Sequence, residues 1–170
     1  MAKTDGSILE RMMGAATLDV DTYEEVEHDQ SATMQAAAVV VLVALCKTAG
    51  AWNVGLLSAG RIALIELATW FTWAGVAYLV GQKLFQGEAT WGELLRTIGF
   101  AKAPGVLYIF GFVPLLGWSV QAVVGIWMLL TGFVAIRQAL DLGNGKTFVT
   151  VLVGGAVYIW LGDLVALLPF

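Results

Sequence analysis

Apolar residues run almost without interruption through five segments of this chain. The segments lie at about residues 33–50, 61–80, 99–113, 118–136 and 147–168, and shorter polar stretches separate them. A helix needs about 20 predominantly apolar residues to cross a hydrocarbon core about 30 Å thick. The pattern therefore predicts an all-α integral membrane protein whose membrane domain, residues 33–170, holds five transmembrane helices.

Residues 1–32 have a different pattern and are predicted to form an amphipathic, acidic helical segment in the cytoplasm. Apolar side chains recur at helical spacing between Ile8 and Ala16, which predicts a short helix lying on the membrane or on the domain. Asp21 and Glu24 have the spacing of a capping box. This pair predicts a second helix that begins there and continues into the first span.

The connection before the third span and the one after it also contain residues that predict local structure. Thr90 and Glu93 form another capping-box pair, and apolar side chains on one face follow them. This pattern predicts an interfacial helix that leads into the third span. Pro114 and Gly117 predict a tight turn between the third and fourth spans, so these two helices should pack antiparallel.

The composition excludes a water-soluble fold. Hydrophobic residues make up 59% of the 170 residues and only 13% are charged, so a soluble protein could not bury its apolar side chains. The net charge of −4 arises in residues 1–30, where acidic residues greatly outnumber Lys3 and Arg11. Because an acidic segment repels phosphates, nucleic acid is not an expected partner.

The distribution of basic residues predicts the orientation in the cell (inner or plasma) membrane. With five spans, Lys47 and Arg61 lie on one side, and the other basic residues lie on the side of the N-terminus. The second group is Lys3, Arg11, Lys83, Arg96, Lys102, Arg137 and Lys146. Since cytoplasmic loops are enriched in Lys and Arg, we expect a cytoplasmic N-terminus and an outside C-terminus.

Ionisable residues within the spans are the candidates for chemistry, because a charge in the bilayer is costly unless it is paired or hydrated. Lys47, Arg61, Glu66 and Asp163 lie at similar depth towards the outer side. They are interpreted as interhelical ion pairs that fix helix register, with an ion or ligand path as the alternative. Lys102 is predicted at the cytoplasmic mouth of the third span, where its ammonium can reach the headgroups.

No enzyme chemistry is indicated. Glu25 and His28 have the Glu-x-x-His spacing of di-iron bundles, but one copy cannot build such a site, so a solvated helix face is the favoured interpretation. Cys46 is the single cysteine, which excludes an intrachain disulfide. The sequence shows no nucleophile–base pair and no phosphate loop. We therefore expect no catalytic residue, no metal and no cofactor.

The stretch from Arg96 to Pro104 resembles a signature of the Yip (Ypt-interacting protein) family. Its Gly99, Phe100, Ala101 and Pro104 follow the Gly-aromatic-small-x-x-Pro pattern at the start of the family's third span, with Phe100 where many members have tyrosine. Three further segments are similar to this family. They are residues 23–35, Trp127, and residues 135–140 with the turn that follows.

The resemblance implies a short prokaryotic Yip protein with five spans and a cytoplasmic N-terminus, and it does not imply catalysis. Eukaryotic members are associated with small GTPases and vesicle traffic. We do not infer a GTPase partner for this chain.

The predicted function is a non-enzymatic membrane scaffold or accessory subunit. Its partners would be the lipid bilayer and either other membrane proteins or further copies of the chain. Tyr23, Glu24 and Glu27 are the candidates for a cytoplasmic docking helix. The alternative is a small transporter or channel that uses the intramembrane residues Glu66 and Asp163.

Overall fold

The computed structural model describes residues 6–51, 55–114 and 116–166, without the side chains of residues 56, 57, 158, 159 and 161–166. The α-helices within these ranges are α1 (Ile8–Ala16), α2 (Val20–His28), α3 (Ala32–Gly50), α4 (Leu56–Ala77), α5 (Trp91–Ala101), α6 (Gly117–Ala139) and α7 (Asn144–Ala166). A π-helix, Tyr78–Leu84, extends α4, and a 3-10 helix, Ala103–Phe112, follows α5. Every element in the described part of the chain is helical, as predicted.

Among the described residues, three helices are long and apolar enough to cross a membrane. They are Ala32–Gly50, Ser58–Leu84 and Gly117–Ala139. Each overlaps a predicted span, and α7 overlaps the predicted span at 147–168. The predicted third span is divided differently, because the α-helix ends at Ala101 and the chain continues as a 3-10 helix.

The first helix forms over the predicted residues, whereas the second begins before the predicted capping box. The capping box of α1 joins Ser7 and Glu10, whose side chains each accept a hydrogen bond from the other's backbone N–H. The box predicted at Asp21 and Glu24 is wrong, because α2 already begins at Val20 and Asp21 lies within its first turn.

A break also separates α2 from α3, so the predicted continuous helix is wrong. The chain turns at Asp29, whose Oδ1 accepts hydrogen bonds from both the backbone N–H and the hydroxyl of Ser31. A short aspartate side chain that bonds two residues ahead favours a turn over a continuing helix.

The helix α5 is part of the core. The predicted capping box is present, since Thr90 N–H donates to Glu93 Oε2 at 2.7 Å and Glu93 N–H donates to Thr90 Oγ1 at 3.3 Å. The interfacial location is wrong, because every residue from Leu94 to Ala101 is buried. Packing on several sides accounts for this burial: α5 contacts α2, α3, α4 and α6.

The N-terminal helices fold back against α6. The Tyr23 hydroxyl lies 3.0 Å from the Ala15 carbonyl oxygen and 3.2 Å from that of Thr131. The indole N–H of Trp127 donates to the Ala16 carbonyl at 2.8 Å. These bonds join α1 and α2 to the membrane domain, so the two helices share its core.

A buried arginine fixes α1 against α2. Arg11 is 2% exposed, and its guanidinium contacts Glu25 Oε1 at 3.0 Å, Asp29 Oδ2 at 2.6 Å and Gln35 Oε1 at 2.9 Å. Hydrogen bonds from Ser31 and Arg11, opposed by partial burial, hold the pKa of Asp29 at about 2. The aspartate is therefore charged at neutral pH and available to the guanidinium.

Candidate functional site

The segment formed by α5 and the 3-10 helix runs parallel to α3 at very close range. A Cβ atom added to Gly99 would lie 2.8 Å from the Cβ of Ala36, and one added to Gly105 would lie 2.6 Å from Cγ1 of Val43. Both distances are shorter than real Cβ contacts, so a larger residue at either position would force α3 or its side chains to shift. Lys102 lies between these two glycines and therefore at the level of the middle of α3.

Three charged side chains meet at this level and form the ion cluster, Lys47, Glu66 and Lys102. Glu66 Oε1 lies 2.7 Å from Lys47 Nζ, and Glu66 Oε2 lies 2.7 Å from Lys102 Nζ. Glu66 is 2% exposed and the Lys102 side chain 1%, whereas the Lys47 side chain is 40% exposed. Glu66 therefore connects a buried lysine to a partly exposed one.

The position of Lys102 corrects the sequence prediction. An ammonium at the membrane surface would be exposed, but this one is buried and contacts a carboxylate on α4. Because α5 begins at Trp91 and not near Gly99, Lys102 lies in the middle of the segment that pairs with α3.

The family-like motif, residues 99–104, forms the junction between α5 and the 3-10 helix, where Lys102 lies. Gly99 permits the contact with α3, and Phe100 is fully buried. The Ala101 carbonyl accepts a hydrogen bond from Thr131 Oγ1 at 2.6 Å. Pro104 stands in the first turn of the 3-10 helix. Since proline has no N–H and clashes with the carbonyl four residues before it, α5 ends ahead of Pro104.

A cavity of about 420 Å³ opens beside Lys47. Lys47, Glu66, Tyr108 and Gln121 supply its polar lining. The Lys47 ammonium also lies 5.3 Å from the centroid of the Tyr108 ring, within the range of a cation–π contact.

Arg61 and Asp163 were also predicted to form interhelical ion pairs. Arg61 is partly buried near the beginning of α4. Asp163 belongs to α7, but its side chain lies outside the described residues. Of the predicted pairings, the structure brings together Lys47 and Glu66.

The three docking candidates on α2 lie in different environments. Tyr23 is fully buried and Glu27 is 9% exposed, so neither presents a surface to a partner. Glu24 is exposed, and Gln138 Nε2 lies 3.4 Å from its Oε1. The prediction failed to separate these residues because α2 is covered on one face by α5 and α6.

Arg96 fixes the end of α2, a role that the sequence did not indicate, since it marked Arg96 only as a cytoplasmic charge and as the first residue of the family-like stretch. Its Nε donates to the carbonyl oxygens of Val26 at 2.9 Å and Glu27 at 3.1 Å, and its Nη2 also contacts Glu27. A guanidinium at the last carbonyls of a helix satisfies acceptors that have no partner within the helix.

Glu27, on α2, is an ionisable group whose pKa is moved to near neutral pH. Burial raises its pKa to about 7, and the nearby carboxylates of Glu93, Asp141 and Glu24 add to this effect. The neighbouring His28 opposes it. The carboxyl therefore changes its charge near neutral pH.

We expect Glu27→Gln to remove a pH dependence from the stability of the protein. The folded pKa of about 7 exceeds the ordinary value of 4.5, so the contribution of Glu27 is fully present below pH 4.5 and is lost as pH rises through 7. Between pH 5 and pH 8 the free energy of unfolding of the wild type should fall by about 1–3 kcal/mol relative to that of the variant.

Unfolding midpoints in detergent across this pH range measure the effect. Asp21→Asn is the matched control on the same helix, because Asp21 is exposed and is not among the carboxylates that raise the pKa of Glu27. Parallel pH profiles for the wild type and Glu27→Gln would contradict the prediction.

In the described portions of the chain, no three His, Cys, Asp or Glu residues form a group that could hold a metal ion. His28 is exposed, and its Nδ1 lies 2.8 Å from the Glu24 carbonyl oxygen.

Comparison with known proteins gives a family match over most of the chain. The family model described as Yip1 domain matches residues 20–164. This range includes the Gly99–Pro104 motif and Trp127, so the resemblance drawn from the sequence is confirmed. Neither the comparison with curated proteins nor that with solved structures gives a match.

Proposed function

The chain belongs to the Yip1 domain family, and we propose on this basis that it is a non-enzymatic membrane scaffold or accessory subunit. Its spans would pack against lipid and against other membrane proteins or further copies of the chain. The N-terminal helices would offer the docking surface.

The structural observation that supports a scaffold over a transporter is the ion cluster. Both oxygens of Glu66 accept hydrogen bonds from lysine ammonium groups at 2.7 Å. A transport carboxylate must exchange partners during each cycle. Glu66, in contrast, connects α4 to Lys47 on α3 and to Lys102 at the end of α5. Close backbone packing at Gly99 and Gly105 supports a fixed arrangement.

We further propose five spans, with the segment 91–112 as the third and α7 as the fifth. The positive-inside rule then assigns the N-terminus to the cytoplasm and the C-terminus to the outside of the cell membrane. Single cysteines at an exposed N-terminal position and in the 140–146 turn, in a Cys46→Ala background, should both be labelled from the cytoplasm alone.

The proposed docking surface is the exposed face of α2, formed by Asp21, Glu24 and His28. All three residues are exposed, and Glu24 also lies 3.4 Å from Gln138 Nε2 at the edge of this face. This face replaces the Tyr23, Glu24 and Glu27 set suggested by the sequence. Its charge favours a partner with basic residues.

Purification in mild detergent from the native membrane, with mass spectrometry of what copurifies, tests the proposal. We expect membrane proteins in fixed stoichiometry with the wild type and a loss of them with Asp21→Lys/Glu24→Lys. Glu88→Lys, which reverses another exposed acid, is the matched control and should keep the partners. A lone chain from wild-type membranes would contradict the accessory role.

The alternative is a small transporter or channel using Glu66 and Asp163, and the cavity beside Lys47 and Glu66 favours it. Flux assays on reconstituted Glu66→Gln and Asp163→Asn variants separate the two functions. Transport that is lost in these variants while the protein stays folded would support the transporter.

A further inference from the structure

Two cavities meet at the side chains of Tyr108 and Gln121. The first is the polar cavity beside the ion cluster, and the second has a volume of about 380 Å³. Both volumes fall within the range of about 300–1,000 Å³ that ligand pockets have. Since Tyr108 and Gln121 line both cavities, one molecule could occupy the two at once.

The two cavities differ in chemistry. The polar cavity presents the Lys47 ammonium, the Glu66 carboxylate and the Gln121 amide. The second is lined mainly by apolar side chains, among them Trp73, Ile126 and Leu129, and Lys102 of the ion cluster also borders it. This division matches a molecule that has a polar head and an apolar chain.

Lys47 determines which kind of head fits. Its ammonium lies 2.7 Å from Glu66 Oε1 and carries the positive charge of the polar cavity. The side chain is 40% exposed at the cavity, so a phosphate oxygen can reach the ammonium from this side. Lysine contacts at Glu66 offset the charge of its carboxylate, which would otherwise repel an anion.

A quaternary ammonium head is less suitable. Such a cation is held on an aromatic face, but the Lys47 ammonium already lies over the ring of Tyr108 at 5.3 Å. A positive head would also be repelled by Lys47. The cavity therefore favours an anionic head over a zwitterionic one.

We propose that these cavities form a binding site for one anionic glycerophospholipid. Its phosphate lies against Lys47 and Gln121 in the polar cavity, and an acyl chain enters the apolar cavity between α4, α6 and α7. The site is independent of the scaffold function, because a lipid can be bound whether or not a protein partner exists.

Lipid titration of the delipidated full-length protein in detergent, followed by native mass spectrometry, tests the site. We expect one phosphatidylglycerol to bind at least tenfold more tightly than phosphatidylcholine. Lys47→Met should abolish this preference. Glycerol 3-phosphate, which has the phosphate but no acyl chain, should not raise the melting temperature.

A glycine variant tests the apolar cavity without replacing any member of the ion cluster. Gly125 lines this cavity, and a Cβ added to it meets nothing within 4 Å, so Gly125→Leu should fold and block the chain. Gly60→Leu is the matched control, since Gly60 is exposed with equally open space and lines neither cavity. We expect at least tenfold weaker binding for Gly125→Leu only.

Any of three results would overturn the lipid site. Equal affinities for the two lipids would remove the role of Lys47. Unchanged binding in folded Gly125→Leu would remove the apolar cavity from the site. Stabilisation by glycerol 3-phosphate equal to that by phosphatidylglycerol would indicate a site for a soluble anion. If Lys47→Met does not fold, Gln121→Leu replaces it, because Gln121 is exposed and lines both cavities.

Discussion

Glu66→Gln is expected to lower the free energy of unfolding by about 3–5 kcal/mol, the cost of removing one partner from a buried ion pair. The variant would leave the Lys102 and Lys47 ammonium groups around a neutral amide. Lys102 is 1% exposed within the membrane domain, so an unpaired ammonium there would be poorly solvated. Unfolding by dodecyl sulfate in mixed micelles, followed by circular dichroism, measures the loss.

The two lysines should differ in their contributions. Lys47→Met should cost less than about 1 kcal/mol, because an ion pair with a partly exposed member is weak, whereas Lys102→Met should cost more. The double variant Glu66→Gln/Lys102→Met should recover stability relative to Glu66→Gln, since both buried charges are then absent.

A surface acid supplies the control for this series. Glu88 is exposed, so Glu88→Gln should unfold with the wild type. The ion cluster would lose its structural role if Glu66→Gln unfolded within 1 kcal/mol of the wild type. Equal effects of Lys47→Met and Lys102→Met would also contradict the assigned burial.

The long helices were predictable because their cause is local. Runs of apolar residues require lipid or protein around them, and the predicted segments 33–50, 61–80 and 118–136 correspond to the helices with membrane-spanning length and hydropathy. The Thr90–Glu93 capping box was equally accessible, since it depends on residues three apart.

The role of Lys102 depends on contacts that sequence spacing does not contain. Its partner Glu66 is 36 residues away, and the pairing requires the register of α5 against α3. One signal was available. A helix start at Thr90 places Lys102 about 18 Å along the segment at 1.5 Å per residue, which is far from a membrane surface.

The N-terminal segment shows the same limitation. Charge and periodicity indicated an amphipathic, acidic region, and α1 forms where expected, whereas α2 ends before the first span. The burial of Tyr23 depends on Thr131, more than a hundred residues later in the chain. An acidic helix can look fully solvated in the sequence and still have one face covered by the fold.

Gly50→Ala is expected to destabilise the protein by about 1–3 kcal/mol, the usual cost of overpacking. A Cβ atom at Gly50 would overlap the backbone carbonyl of Tyr108, and no rotamer change can remove a clash with backbone. The 3-10 helix must then move away from α3. Because Tyr108 lies beside Lys47, the shift also changes the polar cavity.

Gly60→Ala is the matched control for this substitution. Gly60 lies within α4, and an added Cβ meets nothing within 4 Å. Replacing glycine by alanine inside a helix gains about 0.5–1 kcal/mol, so this variant should be at least as stable as the wild type. Thermal unfolding in detergent compares the two. Equal melting temperatures would mean that α3 and the 3-10 helix are not in backbone contact at Gly50.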